Sequence, residues 1–228
     1  MGTNGISEMF ADRRTAGREL SRRLQHLRRD KPLVLALPRG GVPVGFEIAE
    51  GLDAPLDIVL VRKIGVPWQP ELALGAVVDG AHPQVLINKA LATELAIDES
   101  YIRNETARQL QEIERRRQTY LGDRPPLPLA GRSVIVVDDG IATGSTVRAA
   151  LRAVEKAGAN KIVLAIPVAP EDTVAALQAE VDEIVCLALP SPFIAVGAHY
   201  AEFPQLADSD VVTLLAQRHR AMMGSASD

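Results

Sequence analysis

The chain has 228 residues, 47% of them hydrophobic and 24% charged, and a net charge of −4; that is enough chain for one domain with a substantial core, in a soluble globular composition. The acidic balance gives no electrostatic case for nucleic acid, and a lone cysteine, Cys186, excludes an intrachain disulfide. No apolar run approaches membrane-span length and the start lacks a secretory apolar region, so a cytoplasmic protein is expected.

Met1 to Glu8 is polar and expected to fray. A helix is expected over Phe10–Arg29, with Ala16, Leu20, Leu24 and Leu27 on one face. Its other face carries Arg13, Arg14, Arg18, Arg22, Arg23, Arg28 and Arg29, interrupted by Asp12 and Glu19. Such a face is solvated, near a phosphate-rich ligand or an acidic partner, before it is a nucleic-acid surface. Lys31-Pro32 ends it, and Leu33–Leu37 is a short buried strand. PRGGVPVG follows, from Pro38 to Gly45. Its glycine pair, Gly40 and Gly41, lets the backbone approach a ligand closely, and a helix begins near Val42 with Pro43 in its first turn. Arg39 adds a fixed positive charge there.

Asp57–Val61 is the next strand, with Arg62 and Lys63 just past its end. Two cations there suit a polyanionic leaving group, or simply solvate a strand end. Leu72–Val78 and Gln84–Ile87 flank an Asp-Gly turn and predict a β-hairpin. Trp68, close to prolines on both sides, is read as packing the insert before contacting a ligand, and His82 as exposed at a turn tip. Asp98–Tyr120 is a long polar helix capped by Asp98, with a narrow seam of Ile102, Leu110 and Ile113. Glu112, Glu114, Arg115, Arg116 and Arg117 form an ion-paired solvated face or a subunit contact. Gly122–Gly131, with three prolines, is a connector within the domain.

Val134–Val137 is a strand buried on both faces, ending in Asp138 and Asp139. A turn of small and hydroxyl residues follows (Gly140, Ala142, Thr143, Gly144, Ser145, Thr146), then a helix over Val147–Ala157. In a parallel α/β sheet these residues lie at the carboxyl edge, where ligands bind. Backbone N–H groups, the positive helix end and three hydroxyls suit a phosphate, and the acids suit sugar hydroxyls or a hydrated Mg²⁺. The turn has neither the lysine of a P-loop nor a G-x-G-x-x-G spacing. Lys161–Ile166 is a strand, Pro170–Ala179 a helix and Asp182–Leu187 a last strand, so five short strands fold into one parallel sheet. Among Ser191–Phe203, Phe193, His199, Tyr200 and Phe203 either roof a flat heterocycle or form a folded-back packed cover. Asp208 caps a final helix to about Arg220, and Gly224–Asp228 is a tail.

The string VIVVDDGIATGST resembles the PRPP-binding signature of type I phosphoribosyltransferases, and PRGGVPVG is similar to that family's pyrophosphate loop. Together with RKIGVP, PELALGA and AVGAHY, these strings resemble a bacterial group of predicted phosphoribosyltransferases without a settled acceptor. The resemblance runs from about Leu33 to Leu189. It implies an α/β domain over residues 1–228: a five-stranded parallel sheet flanked by helices, a β-hairpin flap at about 64–97, and a small hood at about 190–206 with the terminal helices. The implied reaction displaces pyrophosphate from 5-phosphoribosyl-1-pyrophosphate (PRPP) with a nitrogen nucleophile, a nucleobase, with Mg²⁺ as cofactor.

In this reading Asp138 and Asp139 hold the ribose hydroxyls and Mg²⁺, the latter through water. Gly140, Ala142, Thr143, Gly144, Ser145 and Thr146 hold the 5′-phosphate. Arg39, Gly40 and Gly41 meet the pyrophosphate, Arg62 and Lys63 assist its departure, and Phe193 and Tyr200 meet the base. Glu71 is a candidate general base. The resemblance also implies a non-proline cis peptide near Pro38–Gly40, a homodimer, and no membrane partner. Ala142 stands where the 6-oxopurine enzymes carry an aspartate, which argues against hypoxanthine or guanine. The alternative is a non-catalytic PRPP or nucleotide sensor, whose partner surface would be the arginine-rich first helix.

Overall fold

The computed structural model describes residues 10–80 and 83–225; the expectations for Met1–Glu8, His82 and the last residues of the tail lie outside them. Its centre is the expected five-stranded parallel sheet, in the order β2 (Leu56–Ile58), β1 (Leu33–Ala36), β6 (Ser133–Val137), β7 (Lys161–Val168), β8 (Glu183–Ala188). Apolar residues fill β1, and β6 and β7 beyond Ser133 and Lys161, and the pleat deals them alternately to two cores. Val34, Ala36, Ile135, Val137, Val163 and Ala165 face one core, with Leu20, Phe46 and Leu215 from helices. Leu35, Val134, Val136, Leu164 and Ile166 face the other, with Val147, Leu151 and Val154 from α5 (Ser145–Lys156).

The first helix is shorter than expected. α1 spans Arg13–Arg23, and the chain then tightens into a 3₁₀ segment, Gln25–Asp30, before Lys31 turns left-handed ahead of Pro32. Asp12 does not interrupt a basic face; its carboxylate accepts the Thr15 N–H at 2.6 Å and caps the helix. Asp12→Ala is therefore expected to cost about 1 kcal/mol, read as a lower denaturation midpoint. α1 packs on α2 (Gly41–Leu52), where Arg14 and Arg18 both pair with the buried Glu47.

The expected hairpin is present but belongs to a three-stranded antiparallel sheet: β3 (Val61–Val66), β4 (Gln69–Val78) and β5 (Gln84–Ile87). β2 ends at Ile58, so Arg62 and Lys63 do not stand past a strand's end; they lie inside β3, opposite Val77 and Ala76. The β-branched Val61, Ile64 and Val66 favour that pairing. Trp68 does not pack the insert: it sits in the turn from β3 to β4 and is 66% exposed. A short helix, α3 (Lys89–Glu94), follows, capped by Asn88. Next comes the expected long helix, α4 (Glu99–Leu121), capped by Asp98.

The connector from Gly122 to Gly131 forms no helix or strand. After β7 comes α6 (Glu171–Leu177). The final helix, α7 (Asp208–Ser225), outruns its expected end near Arg220. Arg218 anchors it, donating to the Ala54 carbonyl at 2.9 Å and pairing with Asp53 at 3.0 Å. Among the described residues no helix is long and apolar enough to cross a membrane.

Candidate active site

β6 lies mid-sheet between β1 and β7, which brings three loops together at the carboxyl edge. The Leu37 N–H donates to the Val137 carbonyl at 2.9 Å, stitching the end of β1 to the end of β6. The Pro38–Arg39 peptide is cis, in the loop where one was expected. Gly40 and Gly41 then press against the acid pair. A Cβ on Gly40 would lie 2.0 Å from Asp139 Oδ2, and one on Gly41 would lie 2.6 Å from the Val137 carbonyl oxygen. Only hydrogen fits at either place.

Asp139 is held from two sides, at its carboxylate and at its carbonyl. Arg13, from the first turn of α1, donates through Nε to its Oδ2 at 2.7 Å and through Nη1 to the Pro204 carbonyl at 2.9 Å. The same guanidinium lies 3.6 Å over the Phe203 ring, and the Tyr200 hydroxyl donates to the Asp139 carbonyl at 2.5 Å. Arg13 is 8% exposed, so it is not on the solvated face to which helical spacing assigned it. It is the site residue the sequence missed. Its partner lies 126 residues away, and the only local sign is its place directly after a capping aspartate.

Asp138 accepts the Asp139 N–H at 2.9 Å. Burial first, and the Asp139 charge second, push its pKa well above the usual carboxylate value. The native state therefore holds that proton more firmly than the unfolded chain does. Asp138 favours folding at low pH and loses that contribution as pH rises through its native pKa. A carbon-13 carboxyl titration is expected to place Asp138 above 3.8, and Asp139→Asn to bring it down by removing the neighbouring charge.

The turn after the acids is fixed by its neighbours. Val196 and Val168 close over Gly140, and the Ile141 N–H donates to the Val168 carbonyl at 2.9 Å. The Thr173 hydroxyl from α6 donates to the Ala142 carbonyl at 2.9 Å. Gly144, at φ 72°, turns the chain into α5, which starts at Ser145 rather than Val147. Among the described residues, the N–H groups of Ala142, Thr143, Gly144, Ser145 and Thr146 and the hydroxyls of Thr143, Ser145 and Thr146 have no hydrogen-bond partner. Consecutive free donors at a helix's positive end form an anion cradle.

The other candidates divide. Lys63 and the first residues of α5, Ser145 and Thr146, line a cleft of about 850 Å³ between the antiparallel sheet and that helix. Arg62, one residue away on β3, turns to the opposite face and donates to Gln109 Oε1 at 3.0 Å. Arg39 reaches outward to Asp208, 3.8 Å away. Tyr200 is 5% exposed, packed against Phe10 and Phe203, while Phe193 stacks on His199 at 5.4 Å. Glu71 is exposed on β4. Among the described residues no cluster of three or more His, Cys, Asp or Glu is arranged for a metal. Two adjacent carboxylates fit a magnesium ion that keeps water and takes its remaining ligands from a bound phosphate compound.

Comparison with known proteins gives concordant matches. A family model described as a phosphoribosyl transferase domain matches residues 85–202. A Mycobacterium tuberculosis protein provisionally named a phosphoribosyl transferase is 45% identical over 213 residues, covering 93% of this chain and 48% of its own length. The chain thus spans about half the length of the curated relatives it matches in that organism. A Thermus thermophilus protein of known crystal structure superposes with a TM-score of 0.80 at 44% identity, covering 92% of this chain and 98% of that one. A shorter match, 39% identical over 75 residues, is to a ribose-phosphate pyrophosphokinase of Sulfurisphaera tokodaii, covering 33% of this chain and 24% of that protein.

Proposed function

Because the chain belongs to the phosphoribosyl transferase family, a glycosyltransferase-type class of enzyme, we propose that it transfers the phosphoribosyl group of Mg–PRPP to a nitrogen nucleophile, a nucleobase. The observation that carries this reading is the run of free donors from Ala142 to Thr146 directly after Asp138 and Asp139. The turn takes the 5′-phosphate and the acids take the ribose hydroxyls. That leaves the anomeric carbon toward the Arg39–Gly41 loop, where the pyrophosphate lies.

The nucleophile's nitrogen forms a bond to the anomeric carbon as the bond to pyrophosphate breaks, through an oxocarbenium-like transition state, and the nitrogen's proton passes to the departing pyrophosphate or to solvent. Magnesium, arriving with the substrate, would neutralise charge on the leaving pyrophosphate. The chain's own part is orientation. Arg13 holds Asp139 in place, and Lys63 is the cation we assign to the departing group; Arg62, on the other face of β3, is left out of that role. Tyr200 secures the acid pair's backbone, leaving Phe193 as the aromatic side chain for the acceptor. Of the arginine-rich surface a sensor would use, Arg13 is buried on Asp139, whereas Arg14 and Arg18 pair with Glu47 and stay half exposed; the acid pair and the free donors beside it favour the transferase.

Magnesium-dependent pyrophosphate release, measured across purine, pyrimidine and ammonia acceptors, tests the proposal. Release with one acceptor, lowered about a hundredfold or more in Asp138→Asn/Asp139→Asn, is expected. Release that is unchanged in the double variant would place the chemistry elsewhere.

A further inference from the structure

A second cavity, of about 260 Å³, lies beneath the connector, between the sheet and the far end of α5. Val154 in its wall is eight residues beyond Thr146, or ~12 Å along the helix from the phosphate turn. Leu35, Val59, Leu129 and Val154 make most of its wall apolar, and one end is polar. There Asp57 accepts the Ile58 and Leu127 N–H groups at 2.8 and 2.9 Å. Asp79 accepts the Gly80 N–H at 2.7 Å and Arg117 Nη1 at 2.5 Å.

Arg117 is 8% exposed, and its Nη2 is buried with no hydrogen-bond partner among the described residues. Leaving a buried charged donor unpaired costs on the order of 1–3 kcal/mol, which an acceptor placed in the cavity would offset. Size and charge narrow that acceptor. The cavity sits just below the ~300–1,000 Å³ usual for small-molecule pockets, too small for a nucleotide. Asp57 and Asp79 balance Arg117 and Lys156, which also lines it, so a net charge on the ligand gains nothing. A donor beside carboxylate acceptors matches a molecule whose carbonyl and N–H are adjacent.

We infer that this cavity is a binding site, separate from the candidate active site, for a small uncharged flat compound with a lactam or carboxamide edge. Nη2 is closed off as the side chain stands, so the guanidinium turns toward the cavity to meet the carbonyl; the N–H donates to Asp79 or Asp57, and the ring lies against Leu129 and Val154.

Ligand-observed NMR with uracil, hypoxanthine and nicotinamide at millimolar concentration, on the full chain, tests this. At least one probe is expected to bind wild type and Asp138→Asn/Asp139→Asn alike. Its binding is expected to vanish in Leu129→Trp, which fills the cavity from the connector. It should weaken about tenfold in Arg117→Lys, which keeps the charge beside Asp79 without the Nη2 donor. Arg117→Lys decides the matter if Leu129→Trp fails to fold. No binding by any probe overturns the inference. So does binding that survives both cavity variants but is lost in the double aspartate variant, since the probe would then occupy the acceptor side of the active site.

Discussion

Gly41→Ala is expected to abolish measurable transfer and to weaken PRPP binding by about a hundredfold. The added methyl would lie 2.6 Å from the Val137 carbonyl oxygen and 3.0 Å from Asp138 Cα. Both belong to backbone at the end of the central strand, so the loop must yield instead of the strand. Moving it by about 1 Å separates the Arg39–Gly41 loop from the acid pair, and a misplacement of that size costs on the order of a hundredfold. The same crowding is expected to cost about 1–3 kcal/mol in stability. Calorimetric titration with Mg–PRPP beside a denaturation curve separates the two effects. Wild-type affinity in a folded Gly41→Ala protein would show that the contact with β6 is not needed for the site.

Arg13→Ala is the second large effect, expected at roughly 3 kcal/mol of stability together with a loss of PRPP affinity. Arg13 and Asp139 side chains are 9% and 14% exposed, so solvent screens the pair little. Removing one partner strands a charge, at a typical cost of about 3–5 kcal/mol for a fully buried pair. Partial access lowers that, while the lost Phe203 stacking and Pro204 hydrogen bond raise it. Arg13→Lys keeps the charge but cannot reach both partners with one planar fork, so it is expected to fall between. Urea denaturation checks the order wild type, Lys, Ala. Equal midpoints would mean that Asp139 does not depend on Arg13.

Local chemistry accounts for what the sequence made legible. A four-residue apolar run, an acid pair and a turn of glycine and hydroxyls lie contiguously between Val134 and Thr146. The strand, the turn and the helix start each follow from neighbours in the chain. The hairpin from Leu72 to Ile87 was legible for the same reason, in its alternation around a turn. Features set by distant partners were not. Arg62 and Lys63 look alike in sequence, yet β3 turns one toward Gln109 on α4 and the other into the cleft beside α5. Their strand pairing depends on β4, and the chain's exit from the parallel sheet at Ile58 has no local punctuation. Trp68, between two prolines, reads as packing, but it sits on the turn from β3 to β4 with its side chain exposed. The spacing of Tyr200 fits two roles, and its ring is covered by Phe10, 190 residues away in the chain, and by Phe203.

A PRPP site at the Asp138–Thr146 strand end and turn must bind Mg–PRPP through its acid pair. Isothermal titration of Mg–PRPP into wild type and into Asp138→Asn/Asp139→Asn reads that binding, with melting curves confirming that both are folded. Saturable binding to wild type, weakened at least about a hundredfold in the folded double variant, is the predicted result. No binding to wild type, or equal binding to both, would contradict it.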